Sequence, residues 1–288
     1  MHRRLHILLL APSAVLLFLF TYKPFFQAVI ESVYDSRAAS SGEFVGLANF
    51  ARLFDDPAFM AAVINNFIYV VFTVIPSLIL GLLFALLLKE NTRTNRWLRS
   101  IFFFPTLVPL VAAAALWSFI FLPGVGLLDH YLSLFIHSSH HNFLGQESTA
   151  LTVLIIISIW KYSGYYMLFF LAGLQSIPDD ALEAAHIEGA SPWQGFYHVT
   201  LPLLRPTLTF VGTIALVYSF TQIDHIPAMT NGGPGHSTTV LLYYIQTITM
   251  ESQDLGKAYA ATLCTVVGLF FLTWLNNALL DSGADYER

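Results

Sequence analysis

The sequence contains few charged residues and a single cysteine. Only 11% of its 288 residues are charged, against about a quarter in soluble domains. Cys264 is the one cysteine, which excludes an intrachain disulfide and a cysteine-based metal site. No basic run suggests nucleic acid as a partner. No Gly-x-x-x-x-Gly-Lys-Ser/Thr phosphate loop occurs either, so the chain is not itself an ATPase of that type.

Apolar residues take the place of the missing charges. They make up 56% of the chain, and the charges fall in short blocks between long apolar runs. A helix needs about 20 mostly apolar residues to cross a bilayer, and an open sheet would leave backbone groups unpaired in lipid. The sequence therefore predicts an all-α integral membrane protein, a single transmembrane domain over residues 1–288 with six transmembrane helices. The predicted spans are Leu5–Ile30, Asn66–Leu88, Ile101–Leu122, Leu151–Leu171, Leu201–Ile223 and Ala258–Leu280.

The first apolar run follows Met1-His2-Arg3-Arg4, a start that secretory signal peptides share. The run continues past Phe20 without a small-x-small cleavage site, so we interpret it as a retained span. Lys and Arg favour the cytoplasmic loops. With the N-terminus inside, both termini are predicted to be cytoplasmic, because Arg3, Arg4, Lys89, Arg93, Arg96, Arg99, Arg205 and Arg288 then lie inside against Arg37, Arg52 and Lys257 outside.

Four histidines fall in the predicted outer loop of residues 123–150. Imidazole is a common metal ligand, but this loop is polar, has no fixed helix face and offers no cysteine partner. We therefore interpret the histidines as part of a solvated loop and predict no metal site. They are His130, His137, His140 and His141.

The predicted cytoplasmic loop of residues 172–200 contains the start and stop signals of two short helices. Helix starts favour Ser, Pro and Asp, and glycine favours the position just after a helix end. The loop therefore predicts a helix–glycine–helix unit that projects from the membrane and docks a partner, the alternative being a plain connection resting on the membrane surface. The signals are Ser176 as N-cap, Pro178, Asp179 and Asp180 in the first turn, Gly189 as the stop, and Ser191-Pro192 as the second start.

The same loop resembles the EAA motif of the permease subunits of ABC importers. Glu183-Ala184-Ala185 is followed after three residues by Gly189 and after nine more by Val199-Thr200-Leu201-Pro202. The resemblance implies a type I ABC importer permease fold, in which this loop is the coupling helix seated in a groove of a cytoplasmic ATPase. It implies that Glu183 pairs with a basic residue of the ATPase and that Gly189 permits the turn. The implied coupling residues are Glu183, Ala184, Ala185, His186, Ile187 and Gly189, of which His186 departs from the usual small or apolar residue.

Three further segments resemble the carbohydrate-uptake branch, of the maltose and glycerol-3-phosphate type. They are Phe44–Phe50, Ala172–Pro178, and Thr230–Pro234 followed by Ser237-Thr238-Thr239. The resemblance implies inward sugar transport by alternating access, with a homologous second permease, two copies of an ATPase subunit that bind ATP and Mg, and an extracytoplasmic substrate-binding protein. The chain itself would be no enzyme and would bind no cofactor.

Polar and aromatic residues of the fourth and fifth spans are the candidates for the substrate path. An ionisable group inside a membrane is costly, and a sugar needs hydrogen-bonding groups and aromatic faces. The alternatives are that the aromatics pack or anchor the helices and that Lys161 pairs with a carboxylate of the partner permease. The candidates are Trp160, Lys161, Tyr162, Tyr165, Tyr166, Tyr218, Gln222 and Asp224.

The segment Asn231-Gly232-Gly233-Pro234 predicts an outer turn with close backbone approach. It is expected to contact the binding protein or the outer gate, the alternative being a tight turn after the fifth span.

Other classes of membrane protein fit the sequence less well. An ion-driven secondary transporter would show internal repeats, which are not apparent, and would leave the coupling-type loop unexplained. A membrane enzyme would need a catalytic constellation that is absent from the sequence, and a channel would need no nucleotide-driven partner. The substrate stays open among sugars, oligosaccharides and glycerol-3-phosphate esters. A phosphate ester would favour basic path residues, of which Lys161 is the only deeply placed one.

Overall fold

The computed structural model describes residues 2–36, 42–135 and 141–280. Within these ranges the chain is almost entirely helical, with an isolated antiparallel bridge between Tyr34 and Phe44. Three π-helical turns, Phe18–Tyr22, Phe196–Thr200 and Ile248–Ser252, interrupt or join the helices. The α-helices are α1 (His2–Leu17), α2 (Lys23–Glu31), α3 (Ala48–Phe54), α4 (Pro57–Leu87), α5 (Arg93–Leu107), α6 (Leu110–Ile120), α7 (Leu127–Phe135), α8 (Glu147–Gln175), α9 (Asp179–Ile187), α10 (Pro192–Gly195), α11 (Leu201–Leu203), α12 (Arg205–Thr221), α13 (His225–Met229), α14 (Leu241–Thr247) and α15 (Leu255–Leu280).

Four helical stretches in the described residues are long and apolar enough to cross a membrane. They are Leu10–Glu31, α4, α8 and α15. Two bent pairs would raise the number to six: α5 with α6, bent by 96°, and Pro192–Leu203 with α12, bent by 67°. The all-α membrane fold is confirmed, and the count of six spans stays a prediction.

The predicted third span, 101–122, is broken in its middle between α5 and α6. Val108 is extended, at φ −73° and ψ 128°, because the residue before a proline is excluded from helical geometry. Pro109 has no N–H and cannot bond to the carbonyl four residues earlier, that of Pro105. The helix therefore ends at Leu107 and restarts at Leu110 in a new direction.

Other span boundaries also differ from the predicted ones. α4 begins at Pro57 rather than near Asn66, because the polar pair Asn65-Asn66, which suggests a boundary in sequence, lies inside the helix. Asn66 is buried there, and Asn65 donates to the carbonyls of His236 and Thr239 at 2.7 and 3.0 Å. The membrane helix of the predicted fifth span begins at Arg205 rather than Leu201, since Leu204 bends the chain away from the short helix that precedes it.

The chain divides into two compact units, of which the first contains residues 1–60 and 241–268. Its Gly46–Phe50 segment leads into the short helix α3. Asn49 is fully buried and donates to the carbonyls of Ser32 and Tyr34 at 2.7 and 2.8 Å, which folds the segment onto the end of α2. The amide of Asn49 thereby gives this stretch of sequence a structural role.

Charged side chains join α3 and the residues directly after it to the start of α15, within the same unit. Arg52 donates to Asp254 at 2.7 Å. Asp56 accepts bonds from the hydroxyl of Tyr244 at 2.7 Å and from the ammonium of Lys257. Burial alone would raise the pKa of the Asp56 carboxyl, but the bonds from Lys257, Tyr244 and the Ala58 amide hold its pKa below the ordinary value.

The second unit contains residues 61–240 and 269–288, and α8 is its central helix. In the most apolar part of α8, 67% of the residues are buried. α5 and α12 both pack along it, and Gly164 permits the close approach of α5, since a β-carbon there would lie 1.8 Å from the backbone oxygen of Phe102. A buried hydroxyl pair, Tyr69 and Ser158 at 2.7 Å, links α4 to α8.

Candidate functional site

The loop after α8 folds as two short helices around a glycine. α9 begins with Asp179 and Asp180 in its first turn, which suits the positive end of a helix dipole. Gly189 follows its end at φ 82°, a left-handed conformation that favours glycine. α10 then starts with a capping box between Ser191 and Gln194. The helix–glycine–helix prediction is confirmed.

Ser176 has a different role from the predicted one. Its hydroxyl donates to the carbonyl of Gly173 at 2.7 Å and closes the last turn of α8, and Pro178 occupies the position before α9. The segment 172–175, predicted as loop, is therefore the end of α8, and the loop proper begins at Ser176. Continuous apolar packing against α12 extends the membrane helix further than its hydropathy suggests.

The outer surface of α9 is exposed along its whole length. No residue of α9 is buried, and Ala185 is only half-buried. Apolar side chains stand beside polar ones on this surface: Ile187 is 86% exposed and Trp193 of α10 is 72% exposed. Exposed apolar side chains of this size in one place mark an interaction surface. The predicted coupling residues on it are Glu183, Ala184, His186, Ile187 and Gly189.

Behind this surface lies an open groove of about 1150 Å³. The end of α4 supplies one wall, through Leu86, Lys89 and Glu90, and Leu182 and Trp193 lie on the other side. The sequence motifs did not mark these residues as part of the site. Trp193 carried a signal, since a tryptophan directly after a Ser-Pro helix start is a large apolar residue in an otherwise polar loop, whereas the α4 residues carried none.

Four of the predicted path residues come together between α8 and α12. The rings of Tyr165 and Tyr218 stack at 5.7 Å with an angle of 16°, and their hydroxyls are 3.4 Å apart. Tyr162 lies 5.7 Å from Tyr218 and 6.3 Å from Tyr166, ring to ring. We call Tyr162, Tyr165, Tyr166 and Tyr218 the tyrosine cluster. Tyr165 and Tyr218 are its half-exposed members, so they offer ring faces and hydroxyls to a neighbour.

Lys161 lies between this cluster and the break between α5 and α6, since its ammonium is 5.7 Å from the centre of the Tyr162 ring. Its side chain is buried, with the residue 5% exposed. The ammonium donates to the carbonyls of Val108 at 2.5 Å and Pro105 at 3.2 Å, with a longer contact to Thr106 at 3.4 Å. Lys161 and Tyr165, which helical spacing places on one face, are thus directed to different partners.

The other predicted path residues lie outside the tyrosine cluster. The ring of Trp160 meets that of Trp117 edge to face at 5.4 Å. Gln222 follows the last residue of α12 and is half-buried, and Asp224 precedes α13 and is exposed. Between them and the cluster the structure adds His225, fully buried, with Nε2 3.3 Å from the hydroxyls of both Tyr69 and Ser158.

The segment Asn231–Pro234 is a tight turn held by threonine hydroxyls. Asn231 and Gly232 have φ values of 48° and 76°. Thr238 donates to the carbonyl of Gly233 at 2.9 Å and Thr239 to that of Gly232 at 3.0 Å. The predicted turn is present, with Asn231 exposed on it, and Ser237-Thr238-Thr239 contains the residues that hold it.

The histidine-rich loop is described only in part. His137 and His140 lie outside the described residues. His141 contacts Asp129 through Nδ1 at 3.3 Å and stacks on Phe143 at 5.7 Å. Across the described ranges, no group of three or more His, Cys, Asp or Glu side chains is placed to hold a metal ion.

An all-helical membrane fold with broken spans and an exposed helix–glycine–helix loop defines the membrane component of a transport system. Residues 77–282 match the family described as "Binding-protein-dependent transport system inner membrane component". The chain belongs to this family. It is therefore a multi-pass inner-membrane permease.

Relatives and solved structures agree with this assignment. The sn-glycerol-3-phosphate transport system permease protein UgpA of Escherichia coli (strain UTI89 / UPEC) is 33% identical over 99% of this chain and 97% of its own. The probable ABC transporter permease protein YurN of Bacillus subtilis (strain 168) is also 33% identical, over 90% and 89%. A chain of a bacterial ABC transporter involved in the import of the acidic polysaccharide alginate has the same fold, with a TM-score of 0.85 at 22% identity, covering 99% and 97%. Another, from an alginate ABC transporter in complex with an alginate pentasaccharide-bound periplasmic protein, has a TM-score of 0.83 at 22% identity, covering 96% and 94%.

Proposed function

We propose that this chain is the permease subunit of an ATP-binding-cassette importer that moves a sugar or related carbohydrate inward by alternating access. The exposed surface of α9 and α10 is the observation that carries the proposal. A short helix with no buried residue of its own, ending in exposed Ile187 and followed by exposed Trp193, is poorly stabilised unless a partner covers it.

The partner at this surface is a cytoplasmic ATPase subunit, present in two copies. ATP and Mg bind to that subunit and not to this chain, which lacks a phosphate loop. Glu183, exposed on α9, pairs with a basic residue of the ATPase. Closure of the ATPase dimer on ATP moves the coupling helices of this chain and of a homologous second permease, and the two permeases change between inward-open and outward-open states.

This arrangement requires the α9 loop and both termini to face the cytoplasm. The basic residues support that orientation, since Lys89 lines the groove behind α9 and Arg93, Arg96 and Arg99 follow it closely in the sequence. Arg99 is fixed there by bonds to the carbonyls of Leu88 and Glu90 at 2.5–3.1 Å.

The opposite end of the second unit is then extracytoplasmic. Asn231, exposed on a turn that threonine hydroxyls hold rigid, contacts the substrate-binding protein or the outer gate.

The tyrosine cluster is this chain's contribution to the substrate path. Half-exposed Tyr165 and Tyr218 present hydroxyls and ring faces, which suit the polar and apolar faces of a sugar ring. The relative UgpA is named for sn-glycerol-3-phosphate transport, so that ester is the second candidate substrate. The cluster favours a neutral carbohydrate, because the deeply placed cation of α8, Lys161, is already bonded to backbone carbonyls.

Uptake into proteoliposomes tests the proposal. The chain is reconstituted with its co-purifying subunits and binding protein, and ATP-dependent uptake is measured for a panel of neutral sugars and glycerol-3-phosphate. Glu183→Ala is expected to lower uptake at least about tenfold and to weaken ATPase association, because a desolvated charge pair at an interface is lost. The matched control is Glu251→Ala, which removes an exposed carboxylate outside this loop. Uptake without ATP, or equal uptake by the Glu183 and Glu251 variants, would contradict the importer assignment.

A further inference from the structure

The break between α5 and α6 leaves backbone carbonyls without their helical donors. The carbonyls of the last turn of a helix have no partner within that helix. Pro109 has no N–H to offer the Pro105 carbonyl, which accepts only one backbone bond, from the Val108 amide at 3.3 Å. Pro105 is buried and Val108 is half-buried, and both lie within a predicted span, where water is scarce and an unpaired carbonyl is costly.

The ammonium of Lys161 donates hydrogen bonds to the carbonyls at this break. It reaches the carbonyls of Val108, Pro105 and Thr106 at 2.5, 3.2 and 3.4 Å, so all three of its N–H donors are directed to the break. No carboxylate forms an ion pair with it among the residues that the structure describes. Its charge is offset instead by the partial negative charge at the end of α5.

Two further contacts hold α8 and α5 together around Lys161. The hydroxyl of Thr106 donates to the carbonyl of Lys161 at 2.9 Å. One turn further along α8, Gly164 lets the two backbones meet, since a β-carbon there would overlap the Phe102 carbonyl. The side chain is therefore held in place from both directions and is not free to reach a ligand elsewhere.

We infer that Lys161 is a tethered cation that holds the broken α5–α6 span in its bent form, as a positioning residue of the transport cycle. In membrane transporters, the carbonyl end of a broken helix can bind a monovalent cation. Here the ammonium of Lys161, which is covalently part of the chain, takes the place of such a cation. The bend then needs no coupling ion. The expected role in transport rests on the proposed function, whereas the expected role in holding the bend between α5 and α6 does not.

Spin-label distances across the bend test the inference directly. In a Cys264→Ala background, cysteines at the exposed positions Ile101 of α5 and Leu116 of α6 are labelled in the reconstituted complex. Two substitutions of Lys161 are compared: Lys161→Met removes the charge and the donors, and Lys161→Gln keeps two donors without charge. The control, Lys23→Met, removes an exposed lysine of the first candidate span.

The expected result is graded. Lys161→Met broadens and lengthens the distance distribution and lowers ATP-dependent uptake at least about tenfold, Lys161→Gln is intermediate, and Lys23→Met matches the parent. If Lys161→Met does not fold, the comparison of Lys161→Gln with the parent decides in the same way. Unchanged distances in the Lys161 variants would overturn the inference, whether uptake falls, which would place Lys161 at substrate or a partner carboxylate, or stays the same. If the parent itself shows no ATP-dependent uptake, the proposed function fails while the distances still judge the bend.

Discussion

α8 and α9 are separated by only a short turn, Ser176–Pro178, yet they differ in what stabilises them. α8 has buried residues along its whole length, from Ala150 to Gly173, and α5 and α12 pack along it. α9 has no buried residue and exposes Ile187 almost completely. The comparison shows that the chain buries α8 through its own contacts and leaves the neighbouring α9 uncovered.

The strongest test of this difference uses the same substitution in both helices. Ile157 of α8 is fully buried and Ile187 of α9 is 86% exposed. Ile157→Ala is expected to destabilise the purified chain by about 2–5 kcal/mol, because it leaves a cavity. Ile187→Ala is expected to leave its stability unchanged and to weaken ATPase association. Thermal unfolding in detergent and pull-down of the ATPase measure the two effects, and an equal loss of stability in both variants would remove the distinction.

A pair of glycines sharpens the comparison. A β-carbon at Gly164 would lie 1.8 Å from the Phe102 oxygen, whereas at Gly195 of α10 it would meet nothing within 4 Å. Gly164→Ala is expected to cost about 3 kcal/mol through overpacking, and Gly195→Ala is expected to be neutral or slightly stabilising, since its φ of −59° is helical. The measurement is the unfolding midpoint by scanning fluorimetry. A tolerated Gly164→Ala would show that α5 and α8 are not packed as closely as described.

The smallest expected effect concerns the first unit and depends on pH. Because the bonds from Lys257 and Tyr244 hold the pKa of Asp56 below its ordinary value of 3.8, its contribution to stability is present above about pH 4 and is lost as the pH falls through the lowered pKa. Asp56→Asn should therefore lower the free energy of unfolding at pH 6, by at most about 1 kcal/mol for a partly exposed pair. The difference from the parent should shrink below pH 4. Asp55→Asn, which alters an exposed neighbour, serves as the control, and a pH-independent difference for Asp56→Asn would exclude the ion pair as its cause.

The local signals of the sequence predicted much of this structure. Gly189 and Ser191-Pro192 each act through neighbours in the chain, so the turn and the cap that they form could be inferred from residue type. The prolines at 105 and 109 were also visible, but not the 96° bend, because its angle depends on how α5 packs against α8.

The candidate site was harder to infer, because it also depends on how separate helices pack against each other. Helical spacing placed Lys161 with Tyr165, but their partners belong to different helices, the broken span for one and α12 for the other. The buried contacts of Tyr69, Ser158 and His225 join residues that are far apart in sequence, and no local pattern marks them.

The exposed face of α9 and α10 has a consequence for how cells must produce this subunit. A copy made without its partners would carry Ile187 and Trp193 uncovered in water, as an adhesive surface of the kind that chaperones and proteases recognise. Balanced synthesis of the subunits, or removal of surplus copies, is then a requirement of the assembly itself. In the proposed importer, the same two side chains that dock the ATPase would limit how long an unassembled chain survives.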